Sequence, residues 1–186
     1  IFPWYSEGEP ILWWSPDPRG ILYLEDYRCS RSFQKFLRKT PFKVTLNKAF
    51  EQVIENCAEI PRMDQGTWIT DDMLLAYSHL HEAGHSHSIE VWHEDHLIGG
   101  LYGVAIGGVF CGESMFHLAT NASKLAMYCL VNLIKSYGGA FIDCQMQTEH
   151  LSSLGAKSIP RSQFLEELRQ GRETVSYTHL TLPTNA

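Results

Sequence analysis

At 186 residues, 44% hydrophobic and 19% charged, the chain is long enough to bury a proper core as one domain, or as one domain with a smaller lobe. Its longest apolar run, from Leu97 to Cys111, is glycine-rich and too short to span a bilayer, and its five scattered cysteines, with no Cys-x-x-Cys pair, fit a reducing, cytoplasmic compartment better than a disulfide framework. The net charge of −6 is unevenly spread: Arg28 to Lys48 holds seven basic residues and no acid, which leaves 8 basic and 21 acidic residues elsewhere and points to a polyanionic partner, against the plainer reading of a solvated helix face.

The chain opens on Ile1 rather than Met, inside what reads as an ordered segment, so a preceding segment is expected. Ile1 to Pro18 is dense in aromatics and proline and reads as extended and packed, with Trp13-Trp14 expected in the core wall. Gly20 to Leu24 reads as a strand. Ser30 N-caps a helix to Lys39, with Phe33, Phe36 and Leu37 inward and the basic residues outward. Phe42 to Leu46 alternates as a strand, and Asn47 is expected to cap a helix through Ala58. After a loop over Ile60 to Gly66, Thr70 caps a helix that ends at Gly84.

Three strands follow, His85 to Trp92, His96 to Ile106 and Val109 to Met115, with turns at Glu94-Asp95 and Gly107-Gly108: an antiparallel meander. A helix from about Ala119 to Tyr137 leads to a strand over Phe141 to Gln145, so strand, helix and strand form a βαβ unit. A short helix from Thr148, a strand near Ser158 and a helix from Ser162 to Arg169 complete the pattern. A meander followed by βαβ predicts an α+β fold, an N-acyltransferase (GNAT-like) mixed sheet flanked by helices with a small N-terminal lobe. The expected divisions are residues 1–60 for the lobe, 61–172 for the mixed-sheet domain and 173–186 for a tail. The tail is unrelated in composition: past Glu173 it carries no Asp, Glu, Lys or Arg, and reads as a scar.

Each strand of the βαβ unit holds one acid, Glu113 and Asp143. Alternation puts Glu113 with Met115, and Asp143 with Gln145, with Cys144 on the opposite face. Acids inside apolar strands need a partner or a role, and two flanking one crossover mark a site. His79, His81, His85 and His87 straddle a helix end and a strand start and do not make a ligand set, so no metal is expected. Gly112-Glu113-Ser114 is no nucleophile elbow, and no glycine-rich pyrophosphate loop precedes the helix, which argues against acetyl-CoA as donor.

Phe2-Pro3-Trp4-Tyr5, Ile11-Leu12-Trp13-Trp14-Ser15-Pro16-Asp17-Pro18-Arg19, Gly66-Thr67-Trp68-Ile69-Thr70, His87-Ser88-Ile89-Glu90-Val91-Trp92, Gly112-Glu113-Ser114-Met115-Phe116 and Ile142-Asp143-Cys144-Gln145 together resemble the leucyl/phenylalanyl-tRNA–protein transferase family, in collinear order from Ile1 to about Arg172. The resemblance implies transfer of Leu, Phe or Met from aminoacyl-tRNA to the N-terminal Arg or Lys of an acceptor protein, marking it for degradation, with no metal or organic cofactor. It implies Asp143 and Gln145 as the catalytic pair. It also implies an aminoacyl pocket of Leu101, Phe110, Glu113, Met115, Leu130, Ile134, Ile142 and Cys144, with the terminal adenosine held by Trp4, Trp68 and Tyr77. An amide is a poor base, so Gln145 reads as a positioner and Asp143 as an anchor for the incoming cation. Arg28, Arg31, Lys35 and Arg38 are assigned from charge to the tRNA acceptor stem. Two alternatives stay open: another aminoacyltransferase of the same fold, or an inactive tRNA-binding fragment.

Overall fold

The computed structural model describes residues 1–5, 8–59 and 67–173; the expected loop over Ile60 to Gly66 and the tail past Glu173 lie outside the described residues. In chain order the elements are strands β1 (Phe2–Pro3), β2 (Trp13–Trp14) and β3 (Arg19–Tyr23), helix α1 (Arg31–Leu37), strand β4 (Lys43–Leu46), helices α2 (Phe50–Glu59) and α3 (Asp71–Glu82), strands β5 (Ser86–His93), β6 (His96–Ile106) and β7 (Val109–His117), helix α4 (Ala122–Ser136), strand β8 (Phe141–Gln145), helix α5 (Glu149–Ser153), strand β9 (Lys157–Ile159) and helix α6 (Arg161–Gly171). β1 and β2 pair with each other, and the other seven strands form one mixed sheet in the order β4-β5-β6-β7-β8-β3-β9. The meander β5-β6-β7 is antiparallel, and β8 returns parallel to β7 after the α4 crossover. The expected boundary at residue 60 therefore falls inside one sheet, because β3 and β4 come from before it.

The sheet is covered on both faces. α4 packs Leu125, Leu130, Val131 and Ile134 onto Leu22, Val91, Leu101, Phe110 and Ile142. The opposite face carries Tyr102 and Phe116 under α2 and α3, and Ile21, Val109 and Phe141 under Phe164 of α6. Each such side chain taken fully out of water contributes about 1.5–3 kcal/mol. Period-3.6 and period-2 patterns this clear explain why the strands and helices form where the sequence places them.

The helix starts follow side-chain caps: Ser30 accepts from Phe33 N, Thr70 from Met73 N and Thr148 from Leu151 N. Asn47 departs from expectation. It sits at φ +58° and does not cap α2; its Oδ1 accepts from Ser88 N and its Nδ2 faces His87 Nδ1, so it ties the chain to β5. α4 begins at Ala122 rather than Ala119, because Asn121 is left-handed at φ +70°. The Trp pair is not core: Trp13 and Trp14 are 61% and 48% exposed on the small hairpin.

Gly20 allows the closest backbone approach near β8. A Cβ there would lie 2.8 Å from Gln147 N and from the Met146 carbonyl carbon, with backbone on both counts. Gly20→Ala is expected to lower stability by about 1–3 kcal/mol through overpacking, read as a shift in the urea midpoint at unchanged slope.

Candidate active site

β7 and β8 are paired only from Val109–Phe141 to Cys111–Asp143, although both strands continue past that point. Each carries a bulge just beyond the last pair. On β7, Ser114 faces Tyr102 and Gly112 faces Gly103, so Glu113 is the unpaired residue. On β8, Asp143 faces Ile21 and Gln145 faces Gly20, so Cys144 is unpaired. Bulges bend strands and re-aim side chains. Here they let the two strands part, and a cavity of ≈250 Å³ opens at the fork.

The bulges overturn the expected faces. Met115 pairs with Leu101 and joins the α4 side, while Glu113 turns toward Tyr77 of α3. Ile21 and Gly20 face opposite sides of β3, so their partners Asp143 and Gln145 do too. Gln145 is left-handed at φ +55° and lines the cavity beside Cys144, whereas Asp143 faces the α6 side. A strict two-residue period fails wherever one residue is left out of the ladder.

Asp143 is 1% exposed and bound by Arg19, which is 2% exposed. Arg19 Nε donates to Oδ1 at 2.8 Å and Nη2 to Oδ2 at 2.6 Å, a two-point pair. Oδ1 also accepts from the Gln145 backbone N–H at 3.0 Å. Asp143 is thus no open anchor for an incoming cation, since both its oxygens already hold Arg19, and it holds the backbone of Gln145 rather than its side-chain amide. Sequence reading passed over Arg19; the available signal was one basic residue opening an apolar strand, in the Asp17-Pro18-Arg19-Gly20 string.

Among the described residues no cation lies within 4.0 Å of Glu113's oxygens. Its carboxyl is raised to about 7, chiefly by burial, with the Tyr77 hydroxyl lowering it and the Asp143 charge raising it. The Tyr77 phenol is itself raised, by burial and then by Glu113. Burial also pushes the Cys144 thiol up to about 12, which rules it out as a nucleophile at neutral pH.

The cavity brings together Leu101, Glu113, Met115, Leu130, Ile142, Cys144 and Gln145, and adds Tyr102, Met127, Thr148, His150 and Leu151. Phe110 and Ile134 stand behind that lining in the same apolar cluster. Tyr77 and Trp68 share the cluster under α2 and α3, with Tyr77 buried edge-on against Tyr102 at 5.3 Å, while Trp4 is exposed and receives the Trp14 indole N–H on its carbonyl. Arg28, Arg31, Lys35 and Arg38 are exposed on and beside α1, with no acidic partner within 4.0 Å among the described residues. His81 stacks on Phe50 and bonds the Ser86 carbonyl while His87 turns to Asn47, so the histidines diverge. Among the described residues no group of three or more His, Cys, Asp or Glu is placed to hold a metal ion, and no helix is long and apolar enough to cross a membrane.

Residues 21–169 match the family described as leucyl/phenylalanyl-tRNA protein transferase, and residues 1–17 match the N-terminal domain of the same family. A leucyl/phenylalanyl-tRNA–protein transferase of Pseudoalteromonas atlantica is 57% identical over 183 residues, covering 98% of this chain and 78% of the relative. The protein of that name from Photobacterium profundum is 53% identical over 175 residues, covering 94% and 73%. Among solved structures, a conserved protein of unknown function from Staphylococcus epidermidis superposes with a TM-score of 0.47 at 6% identity, covering 77% of this chain and 57% of that one. With the greater part of its length matched at this identity, the chain belongs to the leucyl/phenylalanyl-tRNA–protein transferase family.

Proposed function

We propose that the chain transfers an apolar aminoacyl group, Leu, Phe or Met, from aminoacyl-tRNA to the N-terminal Arg or Lys of an acceptor protein, in the cytoplasm, as a mark for degradation. The observation that carries this reading is the cavity at the β7–β8 fork, apolar through Leu101, Met115, Met127, Leu130 and Ile142, yet also lined by Glu113 and Gln145. The divisions into a lobe, a transferase domain and an unrelated tail remain part of the same reading, with the transferase sheet borrowing β3 and β4 from the lobe.

The chemistry is aminolysis of an ester. The donor's side chain enters the apolar part, where its burial supplies about 1.5–3 kcal/mol. Glu113 faces the donor's α-ammonium; that cation favours the ionised carboxylate, which burial alone disfavours. Trp4 and Trp68 offer faces for the terminal adenosine, at roughly 1–3 kcal/mol per stacked base, while Tyr77 sets Glu113. The acceptor's α-amine, with a reference pKa of about 8, is partly neutral near pH 7. The Gln145 side-chain oxygen takes a hydrogen bond from that amine and orients its lone pair at the carbonyl carbon. The C–N bond forms, the C–O bond to the tRNA ribose breaks, and the proton lost by the amine ends on the ribose oxygen. Asp143 supports this by fixing Gln145.

Labelled leucine on Leu-tRNA should pass to a peptide beginning with Arg, and Asp143→Ala and Gln145→Ala should each slow transfer by about 10²-fold, as loss of orientation costs. Retained tRNA binding with no transfer by the wild-type chain would leave only a binding module. Neutralising Arg28, Arg31, Lys35 and Arg38 together should flatten the dependence of tRNA affinity on salt by about 0.7–0.9 logarithmic units per lost phosphate contact; an unchanged slope would remove the basic island from the interface. Glu113 makes a third prediction. Its folded-state value, raised to about 7, lies above the ordinary carboxylate value, so the folded state holds the extra proton and loses stability as pH rises through that window. The melting temperature of the wild type should therefore fall between pH 5 and 8 relative to Glu113→Gln, with the gap closing at the acid end.

A further inference from the structure

We propose that Arg19 is a positioning residue for the transfer reaction: its guanidinium locks the Asp143 carboxylate, which in turn holds Gln145 in the backbone conformation that delivers it to the cavity. This rests on the aminoacyl-transfer reading above. Asp143 Oδ1 takes two donors at once, Arg19 Nε at 2.8 Å and the Gln145 backbone N–H at 3.0 Å, while Oδ2 takes Arg19 Nη2 at 2.6 Å. The carboxylate plane cannot rotate without breaking the fork. The guanidinium is held in turn, with its carbon 4.7 Å from the centre of the Phe164 ring and 5.3 Å from that of Phe2. Nη1 is buried with no hydrogen-bond partner among the described residues, and the hydrogen bonds this side chain makes there go to Asp143.

The consequence falls on Gln145. A glutamine at φ +55° is strained, and such conformations persist only where the surroundings over-determine them. The bond from its N–H to Oδ1 is that constraint. With Asp143 free to swing, Gln145 relaxes toward ordinary extended backbone and its amide leaves the cavity lining. Charge compensation alone does not call for arginine, because a buried ion pair is often replaceable by apolar residues without loss of stability. A planar two-point fork does call for it, and lysine offers a point charge without that geometry.

The test is Arg19→Lys in the full chain, with transfer from Leu-tRNA to an Arg-peptide measured alongside the melting temperature, and again in an Asp143→Asn background. The expected result is a folded protein with kcat lowered by about 10–100-fold, as small misplacements cost, an unchanged KM for Leu-tRNA, and little further loss in the Asp143→Asn background. A folded Arg19→Lys protein with wild-type kcat overturns the inference, as does an equal loss in both backgrounds. If Arg19→Lys does not fold, Arg19→Ala with added methylguanidinium decides: recovered kcat supports positioning, and recovered fold without kcat overturns it. A wild-type chain that binds tRNA and transfers nothing overturns the transfer reading itself, and this role with it.

Discussion

Neighbouring parallel strands stay together only while their amides and carbonyls keep register, and between β7 and β8 that agreement ends at Cys111 and Asp143. Everything at the site depends on this break. A sheet with both faces covered has no room for a ligand between its strands, so the opening has to be made by the backbone. Two bulges make it, one on each strand, immediately past the last pair. The α4 crossover keeps the strands anchored below the fork, with Leu130 packed against Ile142 and Leu101. The cavity is therefore rigid at its base, and its polar groups sit where the strands diverge.

The two carboxyls of the βαβ unit end up in different surroundings. Asp143 is buried with the Arg19 guanidinium on both its oxygens. Glu113 is raised to about 7, chiefly by burial, with Tyr77 and Arg19 lowering it and Asp143 raising it. Two acids a few residues of strand apart are thereby separated in role, one a fixed structural charge and the other a group whose charge answers to what binds beside it. Neither could do the other's work. A carboxylate already satisfied by arginine offers little to a ligand, and a half-protonated one could not hold a strained turn.

Much of this was legible in the sequence, and the losses have one physical source. The order of elements, the caps at Ser30, Thr70 and Thr148 and the parallel return of β8 are local consequences of periodicity and capping, which short windows contain. The apolar lining at Leu101, Met115, Leu130 and Ile142 came from the family resemblance and not from periodicity, which shows only that these positions are apolar. The faces of Glu113, Asp143 and Gln145 were not legible, because a bulge is set by the partner strand and leaves no mark in the period of its own. Arg19 escaped on similar grounds: it lies 124 positions from Asp143, and only the sheet brings the two together. Trp13 and Trp14 misled in the other direction, since hydrophobicity argues for burial and the small hairpin leaves them exposed.

A polyanion gripped through its phosphates is held without regard to sequence, so on the proposed reading the end of the tRNA must find the cavity by geometry alone. α1 supplies that geometry. Its basic residues face solvent while Phe33 turns inward and meets Tyr128 of α4 edge-on, with ring centroids 6.2 Å apart. Two residues further along the same helix, Leu130 lines the cavity, as does Met127 one residue before. The charged surface and the aminoacyl pocket thus share one helix as their common support. A shift of α1 relative to α4 would move the donor's backbone against its own side-chain pocket, and the stacked pair of Phe33 and Phe36, with Phe42 edge-on behind it, resists that shift. On the proposed reading, this aromatic seam between α1 and α4 would keep the tRNA backbone in register with the pocket that takes its aminoacyl group.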